Sequence, residues 1–89
     1  MRTWEKDPNA TLDWGFDWSS WLSPAEEIST ATVTVQSGLT KDSQSNTTNS
    51  VTVWISGGTS GVTYEVACRV TTNQGRTDER TIGIRVTDR

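Results

Sequence analysis

Gly61-Val62-Thr63-Tyr64-Glu65-Val66-Ala67-Cys68-Arg69-Val70-Thr71-Thr72 and, beyond a polar turn, Thr81-Ile82-Gly83-Ile84-Arg85-Val86 decide how this chain folds. Val62, Tyr64, Val66, Cys68 and Val70 recur at every second position, and so do Ile82, Ile84 and Val86. A period of two is that of a strand with one buried face. Asn73-Gln74-Gly75-Arg76 between the runs supplies turn formers, so the two are expected to pair as a hairpin in the centre of a sheet.

Working outward, Val51, Val53 and Ile55 repeat the period and push Trp54 to the opposite face, before Gly57-Gly58-Thr59-Ser60-Gly61 closes that strand. Leu39-Thr40-Lys41-Asp42 is read as a brief strand and the polar run Ser43–Ser50 as an exposed connection. Ala31, Val33 and Val35 alternate with Thr30, Thr32 and Thr34. Leu12, Trp14, Phe16 and Trp18 face one way, Asp13, Gly15 and Asp17 the other. Ser19–Glu27 breaks the pattern with turn formers and Pro24, where the residues give little support to a turn of helix.

Six or seven short strands without a helical period leave a sandwich or a small barrel. Tyr64, early in the penultimate strand just after Gly61, favours the sandwich. It stands at the place of the tyrosine corner, whose hydroxyl bonds the backbone upstream. The expectation is a single all-β domain of the immunoglobulin or fibronectin-III-like kind over residues 11–89, preceded by an extended arm over 1–10. With 89 residues the chain has room for one core and a modest margin of stability, which assembly would raise.

Composition narrows the chemistry. There is no histidine, which removes the usual neutral-pH proton shuttle and any Ser-His-Asp or Cys-His site. One cysteine, Cys68, can close no internal disulfide and build no cysteine cluster for a metal. The formal charge of −3, with arginines scattered among acids, offers no basic stripe for phosphates, so no nucleic-acid partner is expected. The opening Met1-Arg2-Thr3-Trp4-Glu5-Lys6-Asp7 has no long apolar run, and neither a leader nor a membrane partner is read from it. Asn9-Ala10-Thr11 and Asn46-Thr47-Thr48 match the glycosylation sequon by chance in a threonine-rich chain.

Four strings are similar to small proteins of tailed bacteriophages, the fiber-tail adaptor family. They are Lys6-Asp7-Pro8-Asn9-Ala10, Leu12-Asp13-Trp14 with Asp17-Trp18-Ser19-Ser20-Trp21-Leu22, Thr52-Val53-Trp54-Ile55-Ser56-Gly57-Gly58-Thr59, and Arg69-Val70-Thr71-Thr72 with Gly75-Arg76-Thr77-Asp78-Glu79-Arg80-Thr81-Ile82. The likeness spans nearly the whole chain and departs at Val33, where an aromatic residue is expected. It implies a non-enzymatic virion structural protein, assembled in the host cytoplasm in several symmetric copies. Its partners would be other virion proteins, the tail tube or collar and a fiber. A capsid decoration protein, or a free carbohydrate- or protein-binding module, would use the same sandwich.

Among candidate contact residues, Trp54 leaves the inner face by its period, and large aromatics dominate interface hot spots. Trp4 precedes the first apolar run and has no core role in the pattern. Arg69 and Arg85, with Glu65 and Arg80, are read as outward residues of the last hairpin, able to pair across strands or to meet a partner. Trp14, Phe16 and Trp18 are assigned to the core, with Trp21 and Leu22 capping it. Cys68 is assigned there as a small apolar residue. Asp13 and Asp17 have no third acid near them, so no metal site, cofactor or catalytic pair is expected.

Overall fold

The hairpin read from period two is the spine of the larger of two sheets. The computed structural model describes residues 2–88. Its strands are β1 (Arg2–Lys6), β2 (Leu12–Asp17), β3 (Ile28–Val35), β4 (Leu39–Asn46), β5 (Ser50–Gly57), β6 (Thr63–Thr72) and β7 (Thr77–Val86). One sheet has the order β1-β7-β6-β3 and the other β2-β5-β4. Crossing from β2 to β3, from β3 to β4 and from β5 to β6 changes sheets, as in immunoglobulin-like sandwiches. In constant-type immunoglobulin domains the first strand lies beside the second. Here it runs parallel to the last one, with Trp4 opposite Ile84 and Lys6 opposite Val86.

The core lies where the inward positions of both sheets meet. Trp18, Val51, Val53, Ile55, Val66, Cys68, Val70, Ile84 and Val86 are wholly buried, with Trp14, Phe16, Val33 and Tyr64 nearly so. Trp21 and Leu22, in the β2–β3 connection, pack on its rim. Tyr64 makes the expected corner: its hydroxyl accepts the Thr59 N–H at 2.9 Å. Glycine is required beside that ring. Gly58 has φ 99°, and a Cβ there would stand 2.5 Å from Val86 Cγ2.

The structure departs from the sequence reading at four places. The segment expected as an arm supplies β1 through Lys6, because pairing with β7 satisfies its backbone. The polar run after Asp42 is strand as far as Asn46, not a connection. Its missing apolar period is explained by Gln44, which points toward the interior but spends its amide on the free edge of β3. Gln44 Oε1 accepts the Val33 N–H at 3.2 Å, and Nε2 donates to the Ala31 carbonyl at 3.0 Å. Leu12 and Val62, assigned inward, are exposed: Leu12 begins a strand at the sheet edge, and Val62 belongs to the turn before β6. Arg80, assigned outward, lies opposite the buried Cys68 and lays its guanidinium 4.1 Å from the centre of the Trp18 ring. A planar cation on an aromatic face can close a core that an apolar side chain would otherwise close.

Candidate partner-contact surface

Parts of the strings that resemble the adaptor family meet in pairs at the two ends of the sandwich, and what those parts build is structural. At one end of the sandwich the β2–β3 connection lies against the β6–β7 hairpin. Glu26 Oε2 accepts from Arg76 Nε at 2.9 Å and from the Thr72 hydroxyl at 2.6 Å. Its Oε1 accepts from Arg76 Nη2 and from the Ser23 N–H. Arg76 also donates to the Trp21 carbonyl at 3.0 Å and stacks 4.3 Å from the centre of that ring. Trp21 meets Trp18 edge to face at 5.3 Å. Arg80 continues the row over Trp18 and donates to the Asp17 carbonyl at 2.6 Å. The tryptophan string Asp17–Leu22 and the arginine string Gly75–Thr81 are thus one interlocked unit.

The electrostatics of that lock follow from its geometry. The Arg76 guanidinium, then the Ser23 N–H and the Thr72 hydroxyl, hold the Glu26 carboxyl at about 2, well below its ordinary range. The same pairing raises Arg76. Burial pushes the Cys68 thiol up, opposed in smaller measure by the Trp18 indole and by Arg80. The Trp18 indole N–H has no oxygen or nitrogen acceptor.

At the other end the first and third strings meet. Lys6 is wholly buried, and its Nζ donates to the Gly57 and Asp7 carbonyls at 2.8 Å each. Burial lowers its pKa, against the opposing pull of Asp7 and Asp42. Nothing in the sequence marked Lys6, Glu26 or Gln44 as interior, because lysine, glutamate and glutamine are ordinarily solvated. The usable signal was the pairing of a tryptophan string with an arginine string, which suits stacking but does not announce which residues meet.

The residues proposed for contact lie apart from these locks and do not share one surface. Trp54 is 43% exposed on the outer face of the β2-β5-β4 sheet, between Asp13 of β2 and Ser43 of β4. Arg69 and Arg85 are exposed on the outer face of the other sheet, with Arg69 opposite Glu79 and Arg85 between Thr63 and Glu5. Trp4 sits at the open side of the sandwich, where the edges of β1 and β2 run past each other. It is 39% exposed, with Arg2 4.2 Å from its ring centre. Two shallow grooves flank it. One is lined by Glu5, Leu12, Asp13, Trp14 and Gly15, the other by Arg2, Phe16, Asp17 and Arg80 among others.

Among the described residues no three His, Cys, Asp or Glu side chains converge to hold a metal ion. Among the same described residues no helix is long and apolar enough to cross a membrane. The buried charges and the aromatic–arginine stacks are committed to holding loops and strands together, which defines a β-sandwich building-block domain offering surface for contact. The chain belongs to the family described as podophage GP4 fiber-tail adaptor protein gp77, whose model matches residues 6–85. No curated protein is similar enough to match it.

Proposed function

We propose that this chain is a non-enzymatic component of a phage particle that joins the tail to its fibers. In this reading several symmetric copies assemble in the host cytoplasm, with tail tube or collar proteins on one side and fiber on the other. The observation that carries the proposal is the reach of the family match. Residues 6–85 run from the buried Lys6 to the outward Arg85 and include both interlocked ends, so the family likeness covers β2 to β6 in full, β7 up to Arg85 and the last residue of β1. The shape agrees with a spacer: the principal extents are 43 × 22 × 19 Å, with one wide face carrying Trp54 and the other Arg69 and Arg85. Two opposed faces with different chemistry suit a part that touches two different neighbours.

Cryo-electron microscopy of the particle made by the parent phage tests this. Density for the sandwich between tail and fiber is the expected result. Density spread over the capsid lattice would make the chain a decoration protein, and absence from the particle would leave a free binding module.

A further inference from the structure

Where β1 and β2 pass each other the two sheets are not hydrogen-bonded, and a groove of about 380 Å³ runs beside Trp4. Arg2, Phe16, Asp17, Arg80 and Ile82 line it together with Trp4. Arg2 lies opposite Ile82, and Arg80 stands two residues before Ile82 on β7. Both arginines therefore leave the sheet on its inward face, with Cα atoms about 8 Å apart by strand spacing. Side chains of that length can converge on one carboxylate, and Phe16 and Ile82 give the groove an apolar floor between them. Beyond Trp4, the groove between the same two strands carries Glu5 and Asp13 instead, so attraction for an anion is confined to the Arg2 end.

What the two guanidiniums already meet leaves most of their donors unused. Arg80, half-buried, is fixed by its stack on Trp18 and gives one of its five N–H groups to the Asp17 carbonyl; the rest have no acceptor among the described residues. Arg2 is exposed and has only the Trp4 ring. The one ion pair among the described residues is elsewhere, between Arg76 and Glu26. Asp17 is the one acid lining the groove, and its Oδ1 accepts the Ser19 N–H at 2.9 Å. Its carboxyl is held below the ordinary range first by Ser19 and only last by Arg80. Two guanidiniums against one carboxylate leave a positive excess here, in a chain whose formal charge is −3. We propose that the Arg2–Arg80 end of this groove receives an aspartate or glutamate side chain of another virion protein, its carboxylate between the two guanidiniums and its stem against Trp4 and Ile82. Arginine suits the role because its planar fork binds a carboxylate through paired N–H bonds, and a position fixed beforehand lowers the cost of binding. A second copy meeting this groove with its own would set arginine against arginine, so the donor is a different chain. The adaptor reading is used only to identify that donor as a virion protein.

The test uses the isolated chain and a short synthetic peptide, blocked at both ends, with one central glutamate between valines; the same peptide with glutamine is the control. Arginine Nε–H and tryptophan indole signals are followed by NMR at millimolar peptide. The glutamate peptide should move the signals of Arg2, Arg80 and Trp4 while those of Arg69 and Arg85 stay still, and should bind at least ten-fold tighter than the glutamine peptide. Arg2→Gln should weaken the glutamate peptide at least ten-fold with the unfolding midpoint unchanged. Arg80→Lys, which keeps a cation over Trp18 but loses the fork, should weaken it likewise; should that variant unfold, Arg2→Gln decides. Equal binding of the two peptides, shifts at Arg69 or Arg85 as large as those at Arg2, inorganic phosphate moving the same signals at the same concentration, self-association that moves them without peptide, or no shift at all would overturn the proposal. Because the particle is absent from this experiment, its failure leaves the tail assignment standing, and misplacement of the chain on the particle would leave the groove site standing.

Discussion

Replacing Trp18 separates two contributions that the structure superimposes on one side chain. The indole is wholly buried, between the Arg80 guanidinium at 4.1 Å and the Trp21 ring at 5.3 Å. Trp18→Ala removes its transfer energy and leaves a cavity, together about 3–5 kcal/mol. Losing the arginine stack adds about 0.5–1 kcal/mol. A domain of this length has a total stability of roughly 4–13 kcal/mol, so the variant should lose from about a quarter of it to all of it. Trp18→Phe behaves differently. It gives up part of the ring but also removes an indole N–H that has no oxygen or nitrogen acceptor, a group whose burial costs about 1–3 kcal/mol. The net loss should stay below about 2 kcal/mol. Urea unfolding at neutral pH, followed by circular dichroism, reads both from the midpoint, with the slope unchanged. If Trp18→Phe is as damaging as Trp18→Ala, the Cys68 sulfur satisfies the indole N–H and its burial carries no cost. If Trp18→Ala is silent, the facing of β2 and its continuation is off by one residue.

Acid should weaken the fold through Glu26. Its carboxyl sits at about 2 when folded against an ordinary 4.5, so the unfolded chain binds the proton more readily. The stabilisation is present above about pH 4.5 and is lost as pH falls toward 2; urea midpoints across this range should drop more steeply for the natural chain than for Glu26→Gln. Tyr64→Phe takes away the acceptor of the Thr59 N–H, while leaving the ring in place. A loss of about 1 kcal/mol, or roughly 4–8 °C in thermal midpoint, is expected by calorimetry. Trp54→Ala, on an exposed face, should leave the unfolding midpoint within about 0.5 kcal/mol while reducing incorporation into particles scored by gel analysis of purified virions. Unchanged incorporation would remove Trp54 from the contact surface.

The legible parts of the fold are those where one face is apolar. The hairpin of β6 and β7, the inward set of β5 and the corner at Tyr64 were all visible, because alternation of valine or isoleucine with polar residues reports a buried face directly. Where a strand has no such face the period is silent. The second half of β4 is written Ser43-Gln44-Ser45-Asn46 and reads as a loop, since its one interior-facing side chain is an amide whose role depends on the backbone of β3 lying opposite. The N-terminal strand has a related difficulty. Arg2-Thr3-Trp4-Glu5-Lys6 sends an arginine, a tryptophan and a lysine toward the interior side, and only Lys6 is fully enclosed. Arg80 fails the pattern for the same reason, being a charge that enters through its stack on Trp18.

The outward residues were easier to find than to assemble into a site. Trp54 emerged from parity alone, but parity cannot say that Arg69 and Arg85 lie on the other sheet, because sheet membership is set by crossovers that have no local signature. Parts of the resemblance strings, by contrast, come together at the two ends, where they tie connections to strands through Lys6–Gly57 and through Glu26, Arg76 and Trp21. Those parts of the strings hold the sandwich together. A partner surface is therefore to be sought away from those two ends, first on the exposed face around Trp54. A substitution at Trp54 is expected to leave both ends intact, whereas one at Arg76 or Glu26 would first free the β2–β3 connection from the hairpin.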